Sequence, residues 1–320
     1  MQTSLRAIAA LALAALTLPS VAMAQDYPSR PVKLLVPFTA GSSTDQVARL
    51  LGADLQSQLG QPFVIENKPG AQGMLAADTL AKSTPDGYTL LLATNSIAAA
   101  VSLFKNLPFD PVKDLQAIAR IGFTGFVAMT RPDFEAKSMK DLIALARAKP
   151  NTLSAGFGGG GGQVSQALFK SMAKVDLVDV SYRGVPQAVT DLLGGSVALA
   201  WVDLGNARAL AQSGRLTPIG VTTPNRTDLA PGVPAIAETI PNFQVIAWFG
   251  LFAPAGTPPA VVQKLYDAIK TSLAKPEIRK ALALTGTDIA PLDPSAFGRF
   301  VQDEIPHWAE LVKISGLHPD

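Results

Sequence analysis

The sequence predicts an α/β protein of two lobes that enclose a cleft. Short apolar strand patterns alternate with helical patterns along most of the chain, which is typical of α/β architecture. Residues 118–130 form a strand pattern that leads into a second series of strands and helices, and residues 243–252 form one that leads back. The chain is therefore expected to leave one α/β unit, build another and return, with a ligand cleft between the two.

The N-terminus has the three parts of a secretory signal peptide. Arg6 supplies a positive charge, residues 7–18 are apolar, and Ala22-Met23-Ala24 has the small-x-small pattern of a cleavage site. We expect export to the periplasm with cleavage after Ala24. The apolar run is short for a membrane span, and an uncleaved anchor is the alternative. The expected division is a signal peptide over 1–24, domain 1 over 25–124 and 246–320, and domain 2 over 125–245.

Composition excludes several classes of function. The formal net charge is +2 and no basic run stands out, so a nucleic-acid partner is not expected. The chain has no cysteine and only two histidines, His307 and His318. Disulfides, thiol chemistry and Cys-ligated zinc are therefore excluded. Ser-His catalysis is poorly supported, because only two histidines could act as the base. Neither a metal nor a cofactor is expected.

Element boundaries follow from apolar spacing, capping residues, glycine and proline. The first strand ends at Pro37, which cannot donate to a ladder, and the next helix ends at Gly60. Ser138, with Asp141 three residues on, begins another helix, and Thr257 caps a third. The predicted strands cover 32–36, 63–65, 88–93, 118–130, 153–156, 177–180, 197–201, 216–221 and 243–252. The predicted helices cover 47–59, 74–82, a stretch after 96, 138–149, 164–173, 186–193 and 205–213. A long helix is expected from Thr257-Pro258, and the remainder is expected to be helical, over about 276–284 and 294–314.

The loop from Thr39 to Asp45 has the chemistry of an anion site without a cationic side chain. It opens a helix, whose N-terminus carries a partial positive charge, and it offers hydroxyls and free backbone N–H groups. The alternative is a turn whose polar side chains only cap the helix. Thr94-Asn95-Ser96 repeats the arrangement, because a strong strand delivers hydroxyl and amide groups to a helix start.

Glycine-rich residues 156–162 give the sharpest signal for an enzyme. Gly156-x-Gly158-x-x-Gly161 matches the dinucleotide fingerprint, and Asp179 follows 18 residues later. Five consecutive glycines satisfy many such patterns by chance, and no lysine follows them as a Walker A loop requires. The favoured interpretation is a place where a ligand approaches the backbone closely, with a flexible turn as the alternative. An exported dinucleotide-binding enzyme stays a secondary hypothesis.

Three further residues follow strand ends, where ligands of α/β sheets tend to bind. Tyr182 offers a ring face and a hydroxyl, or is a partly buried structural tyrosine. Arg183 is suited to a bidentate pair with a carboxylate, or is solvated. Asp203 is suited to a ligand amine or hydroxyl, or caps the helix that follows.

Several motifs from Tyr27 to about Gly316, each weak alone, are specific in combination. They are Tyr27-Pro28-Ser29-Arg30-Pro31-Val32, Val36-Pro37-Phe38, Asp45 with Ala48-Arg49, Glu66-Asn67-Lys68-Pro69-Gly70-Ala71, Pro85-Asp86-Gly87-Tyr88-Thr89-Leu90, Tyr182-Arg183-Gly184, Trp248-Phe249-Gly250 and Pro254-Ala255-Gly256-Thr257-Pro258. In this combination the chain resembles the Bug-type solute-binding receptors of tripartite tricarboxylate transporters.

The resemblance implies a type II periplasmic binding fold, in which two α/β lobes close on one small molecule. The ligand in this family is usually a carboxylate, held by backbone amides, hydroxyls and ordered water. The protein would be a monomer that presents its ligand to membrane transporter subunits, and a sensor that docks to a signalling protein is the alternative. The loops and the resemblance together give these candidate ligand-binding residues: Phe38, Thr39, Ala40, Gly41, Ser42, Ser43, Thr44, Asp45, Thr94, Asn95, Ser96, Gly158, Gly159, Gly160, Gly161, Gln163, Tyr182, Arg183 and Asp203.

Three positions depart from the family pattern. Gly41-Ser42 stands where the family usually has two glycines. Gln72 replaces the third small residue of a Gly-Ala-Gly-Gly turn, and Gln163 stands where a histidine is frequent. The first and third lie at or near the expected ligand, so they bear on the substrate range and not on the fold.

Overall fold

The structure is a computed structural model that describes residues 27–318. The predicted signal peptide and its cleavage site lie outside these residues. Within them the strands are β1 Val32–Val36, β2 Phe63–Asn67, β3 Thr89–Thr94, β4 Leu115–Thr130, β5 Ser154–Gly158, β6 Val178–Tyr182, β7 Leu199–Asp203, β8 Thr217–Val221, β9 Ile246–Pro254 and β10 Asp288–Leu292. The α-helices are α1 Ser43–Leu59, α2 Met74–Ala81, α3 Ser96–Leu103, α4 Met139–Ala148, α5 Gly159–Ala173, α6 Val185–Gly194, α7 Leu204–Gln212, α8 Pro259–Ala274, α9 Pro276–Leu284 and α10 Pro294–Ile314.

The strands form one sheet with a parallel group at each end. The order is β2-β1-β3-β9-β4-β7-β5-β6, and β8 and β10 also pair with β4. Strand β1 is parallel to β2 and β3, while β5 is parallel to β6 and β7. The long antiparallel strands β4 and β9 connect the two groups, as the two crossings in the sequence predicted.

Strand β4 changes its partners at one point, and this supports a boundary between lobes. Its residues up to Gly125 pair with β9, whereas Phe126 and the residues after it pair with β7 and β8. We propose the sequence-based division, with a first lobe over 25–124 and 246–320 and a second lobe over 125–245. The terms first lobe and second lobe are used below in this sense.

Each lobe has its own apolar core, because helices cover the faces of each sheet half. In the first lobe Leu34 of β1 and Leu265 of α8 are fully buried in one cluster. In the second lobe Trp201 lies between Phe169 and Phe243, with ring centroids 6.0 and 6.4 Å away.

The C-terminal helix α10 packs on both cores. Phe297 and Val301 in its first half lie in a cluster with residues of β3 and β9. Trp308 and Val312 in its second half lie in the cluster that contains Trp201. Helix α10 therefore connects the two cores in addition to β4 and β9.

Most predicted elements are confirmed to within a few residues. Gly60 ends α1 in the left-handed region, with φ of 75°. Ser138 caps α4 by accepting a hydrogen bond from the backbone N–H of Asp141 at 3.2 Å. These signals succeed because caps depend on residues that are neighbours in the chain.

The predicted helices over 276–284 and 294–314 are confirmed, but no strand was predicted after Thr257, and this is wrong. Asp288–Leu292 forms β10, which pairs antiparallel with β4. The strand is short, partly exposed and interrupted by Pro291, so no apolar alternation indicates it. It also explains Gly122, which lies opposite Ile289 and where a Cβ atom would clash with the Asp288 carbonyl oxygen.

Two helix starts differ from the prediction. Helix α5 begins at Gly159, so the glycine run is its first turn and not a loop before Val164. Glycine has a low helix propensity, and no sequence signal placed the start there. Helix α8 begins at Pro259, and the hydroxyl of Thr257 donates to the carbonyl of Pro254 at 2.8 Å and does not cap the helix.

Candidate functional site

The loop between β1 and α1 is held by a buried carboxylate. Ser42 is the N-cap of α1, and its Oγ accepts from the backbone N–H of Asp45 at 3.3 Å. The Asp45 carboxylate accepts from the backbone N–H of Gly41 and from Asn67 Nδ2, both at 2.9 Å. It also forms an ion pair with Arg49 at 2.9 Å. Asp45 therefore fixes the shape of the loop that carries the predicted anion site.

Acid is expected to destabilise the protein through Asp45. Burial alone raises the pKa of this carboxyl group, but hydrogen bonds from Arg49, Gly41 and Asn67 outweigh burial and hold the pKa below its ordinary value of 3.8. A pKa lowered by folding gives stability that is present above the unfolded pKa and is lost as the pH falls through the folded one. We expect Asp45→Asn to flatten the fall of the urea unfolding free energy below about pH 4. Equal pH dependence in the variant and the wild type would contradict this role.

The first turns of four helices line one cavity between the lobes. Helices α1 and α3 of the first lobe contribute Ser43 and Ser96, and helix α5 of the second lobe contributes Gly159 and Gly161. Asp203, the N-cap of α7, completes the set. The unpaired N–H groups and partial positive charge of helix N-termini favour anions, so the site needs no cationic side chain.

The cavity has a volume of about 50 Å³, which holds only a few water molecules. The predicted residues that line it are Phe38, Ser42, Ser43, Thr44, Thr94, Asn95, Ser96, Gly158, Gly159, Gly161 and Asp203. The lining residues that sequence reasoning missed are Thr124, Phe126, Val185, Ala247 and Phe249. Four of these lie on β4 and β9. Strands that join two lobes form the floor of the cleft, so the two predicted crossing strands were the sequence signal that could have identified these residues.

The other candidates lie outside this wall, and their role in ligand binding stays a prediction. They are Thr39, Ala40, Gly41, Asp45, Gly160, Gln163, Tyr182 and Arg183. The hydroxyl of Tyr182 donates to Asp191 Oδ2 at 2.6 Å, and burial together with this bond raises the pKa of Tyr182 to about 12. Arg183 is exposed. Tyr182 ends β6, the outermost strand of the second lobe, and pairs with Gly158, so it lies next to a lining residue without lining the cavity itself.

The glycine run of α5 contacts aromatic side chains. A Cβ atom at Gly159 would lie 2.8 Å from the ring of Phe38, and one at Gly161 would lie 2.5 Å from Cζ of Phe126. Two phenyl rings thus occupy the space that the absent side chains leave. Asp179, the acidic residue of the dinucleotide pattern, forms an ion pair at the surface of the second lobe. The pattern is therefore not arranged as an open pocket for a pyrophosphate.

Asp203 is the one ionisable group among the lining residues of the described chain, and no lysine, arginine or histidine joins it. Its carboxylate accepts a hydrogen bond from the hydroxyl of Ser43 across the cleft. It also accepts from the backbone N–H of Asn206 at 3.1 Å and from Asn206 Nδ2 at 3.0 Å. The helix-capping interpretation of Asp203 is thereby confirmed, and the cap also contacts the opposite lobe.

Asn95 presents an unused amide to the cavity. The residue is 2 % exposed and lines the cavity, and its Nδ2 has no hydrogen-bond partner within residues 27–318. A buried donor left unpaired costs about 1–3 kcal/mol. A ligand oxygen that accepts a hydrogen bond from Asn95 removes this cost.

Neither a metal-binding cluster nor a membrane-spanning helix is found in the part of the chain that the structure describes. No group of three or more His, Cys, Asp and Glu side chains there is arranged to hold a metal ion. None of the helices in that part combines the length and apolar character that crossing a membrane requires.

The fold and the interlobe cavity define a two-lobed solute-binding protein. The family described as the tripartite tricarboxylate transporter family receptor matches residues 47–317. The chain belongs to this family, as the motifs in its sequence predicted.

Individual proteins share the similarity over nearly their whole length. The chain is 34% identical to protein BugT of Bordetella pertussis over 322 residues, 98% of this chain and 98% of BugT. It is 33% identical to R. palustris Rpa4515 with adipate, with a TM-score of 0.89 over 92% of this chain and 100% of that one. It is also 33% identical to MatC from Rhodopseudomonas palustris with bound malate, with a TM-score of 0.84 over 89% of this chain and 100% of that one. The predicted fold class is confirmed.

Proposed function

We propose that the protein is a periplasmic receptor that captures a small carboxylate between its lobes. The observation that carries this proposal is the buried, unpaired amide of Asn95 in a cavity lined by four helix N-termini. The adipate and malate named with two similar structures support a carboxylate as the ligand. The partners would be the membrane subunits of a tripartite tricarboxylate transporter, which receive the ligand from a monomeric receptor.

The two sides of the cavity differ in charge, and this difference would orient the ligand. A carboxylate close to Asn95 and Ser96 interacts with N–H donors of α3 and α5. Asp203 on the other side repels a second anionic group at short range. That side favours a hydroxyl, an amine or an uncharged part of the ligand. Phe126 and Phe249 contact its apolar carbon atoms.

Capture requires the lobes to move. The cavity is lined by residues of both lobes, and Ser43 donates a hydrogen bond to Asp203 across it, so the ligand enters when the lobes are apart. Closure excludes bulk water and adds hydrogen bonds from the second lobe to those from the first. The ligand therefore favours the closed form through its higher affinity for that form.

A thermal-shift screen of residues 25–320, unfolded in guanidinium and refolded to remove carried-over ligand, tests the proposal. The panel contains succinate, malate, adipate, benzoate and NAD. A carboxylate present at about a hundred times its Kd is expected to stabilise the protein by about 2.7 kcal/mol. Stabilisation by NAD and by none of the carboxylates would contradict the receptor function and support the dinucleotide hypothesis.

Asn95→Ala is expected to weaken binding of the carboxylate that the screen identifies by about tenfold or more. The variant loses a charge-assisted hydrogen bond, which contributes about 1.5–3 kcal/mol. Isothermal titration calorimetry measures the change. Asn225→Ala, on an exposed loop of the second lobe, is the matched control and is expected to bind like the wild type. Unchanged affinity in Asn95→Ala would remove Asn95 from the site.

A further inference from the structure

A second set of contacts crosses the cleft beside the cavity. Gln46 in the first turn of α1 donates from Nε2 to Asn206 Oδ1 in α7 at 3.1 Å. The same Nε2 donates to the carbonyl oxygen of Gly41 at 3.1 Å. Asn206 Nδ2 donates to that carbonyl oxygen at 3.3 Å and to Asp203 Oδ2 at 3.0 Å. We call Gln46, Asn206 and the Gly41 carbonyl the amide clasp.

The amide clasp is complete without any further group. Each side-chain NH₂ has two hydrogens, and in both Gln46 and Asn206 the two hydrogens have separate acceptors. Gly41 has a φ of 83°, a conformation that favours glycine, and this fixes the direction of the shared carbonyl. Both side chains and the bond between them are half-buried, so water competes less for that bond than for the two exposed bonds to the Gly41 carbonyl.

The first turn of α7 contacts the first lobe at a second place. Gly205 packs against the backbone of Thr285, where a Cβ atom on Gly205 would clash. Gly286 has a φ of 73°, and a Cβ atom there would lie 2.8 Å from Leu204. This turn of the second lobe is therefore seated between the loop at Gly41 and the loop at Gly286 of the first lobe.

Neither Gln46 nor Asn206 lines the ligand cavity, so their bonds join protein atoms whatever the ligand is. We propose that the amide clasp favours the closed form by itself and sets the open–closed equilibrium of the receptor. The apparent Kd of a receptor is its intrinsic Kd divided by the fraction in the competent form, so the clasp raises the affinity for every ligand by the same factor. The effect on ligand affinity rests on the receptor function proposed above, whereas the effect on the open–closed equilibrium of the ligand-free protein does not.

Asn206 also links the clasp to the cavity. Its Nδ2 donates to one oxygen of Asp203, and the other oxygen of Asp203 accepts the hydroxyl of Ser43 from the opposite lobe. Asn206 is therefore a positioning residue, which acts through Asp203 and lobe closure and not through contact with the ligand. Gln46 contacts Asn206 but not Asp203, so its replacement separates closure from the orientation of Asp203.

The distance between the lobes in the ligand-free protein tests the proposal. Two exposed serines are replaced by cysteine to carry a pair of fluorescent dyes, Ser57→Cys in α1 and Ser213→Cys just after α7. The chain has no cysteine of its own, so the dyes react only at these two positions. Energy transfer is then compared among the wild type, Gln46→Ala and Asn206→Ala. Gln212→Ala is the matched control, because Gln212 is an exposed amide at the far end of the same helix.

We expect Gln46→Ala and Asn206→Ala to shift the ligand-free population to more open distances, and Gln212→Ala to leave it unchanged. The apparent Kd is expected to rise about threefold to tenfold with faster dissociation, and in Gln46→Ala by the same factor for each carboxylate that binds. The double variant is expected to lose less than the product of the two single losses, because both substitutions remove the same bond.

Ligand-free distances that are the same in the wild type and in both clasp variants would overturn the proposal, even if carboxylates bind. In Gln46→Ala, losses of affinity that differ from one carboxylate to another would also overturn it, because they would make Gln46 a direct ligand contact. If no carboxylate binds the wild type, the receptor function fails, and the ligand-free distances still decide on the clasp.

Discussion

Replacing Gly161 by alanine is expected to remove most ligand binding while the fold stays intact. The added methyl group would lie 2.5 Å from Cζ of Phe126, whose ring lines the cavity. The space next to the ring is the cavity itself, so the methyl group displaces the ring into the place of the ligand. Overpacking of this kind costs about 1–3 kcal/mol. Gly161 and Phe126 belong to the same lobe, so the ring is displaced whether the lobes are open or closed, and a ligand must force it back against the methyl group. Affinity is therefore expected to fall by about tenfold to a hundredfold.

Gly160→Ala is the matched control for this substitution. A Cβ atom at Gly160 has its nearest neighbour at 3.4 Å, the side-chain oxygen of Gln72, and Gly160 does not line the cavity. Both substitutions raise helix propensity in the same turn by up to about 1 kcal/mol, so neither is expected to lower the urea midpoint by much. Calorimetric titration of both variants decides the point. Equal affinities of the two variants would contradict the prediction, because they would mean that the ring of Phe126 moves away from the place of the ligand.

Replacing Glu304 by alanine is expected to cost about 2–5 kcal/mol of stability. Its Oε2 accepts the indole N–H of Trp248 from β9 and that of Trp308 from α10, both at 2.9 Å. Both tryptophan side chains are fully buried, so the substitution leaves two buried donors without a partner. Urea unfolding, followed by the fluorescence of these tryptophans, measures the loss.

Two further variants show whether the carboxylate acts on the indoles. Glu304→Gln keeps an acceptor oxygen and is expected to retain most of the stability that alanine loses. Glu310→Ala removes an exposed carboxylate from the same helix, whose ion pair with Lys313 is also exposed, and is expected to cost less than about 0.5 kcal/mol. An equal cost for the glutamine and alanine variants would show that the indole hydrogen bonds are not the cause.

The parts of the site that depend on chain neighbours were predictable from the sequence. Ser42 and Asp203 could be recognised because a hydroxyl or carboxylate between a strand and a helix has few other uses. Asn95 could be recognised for the same reason, since it follows β3 directly. The family resemblance then related these separate loops to one cleft.

The apolar part of the cavity could not be predicted in this way. Phe126 and Phe249 carry the same sequence signature whether they face a core or a ligand, and only packing separates the two cases. Strand order was equally hidden, and it decides that Tyr182 ends an outer strand beyond the cavity wall. Strand β10 was missed because it depends on pairing with β4, more than 150 residues earlier in the chain, and not on its own composition.

Helix α10, which packs on both cores, determines how the two lobes of this receptor move. Since the two halves of α10 are anchored in different cores, any rotation of one lobe against the other must bend or twist this helix. Pro306 lies between the halves and lacks the N–H that would complete the helical ladder, so bending concentrates there. When it is bent, α10 resists further separation of the lobes and favours their return toward each other. Wide separation of the lobes is therefore expected to strain α10 more than small separations do.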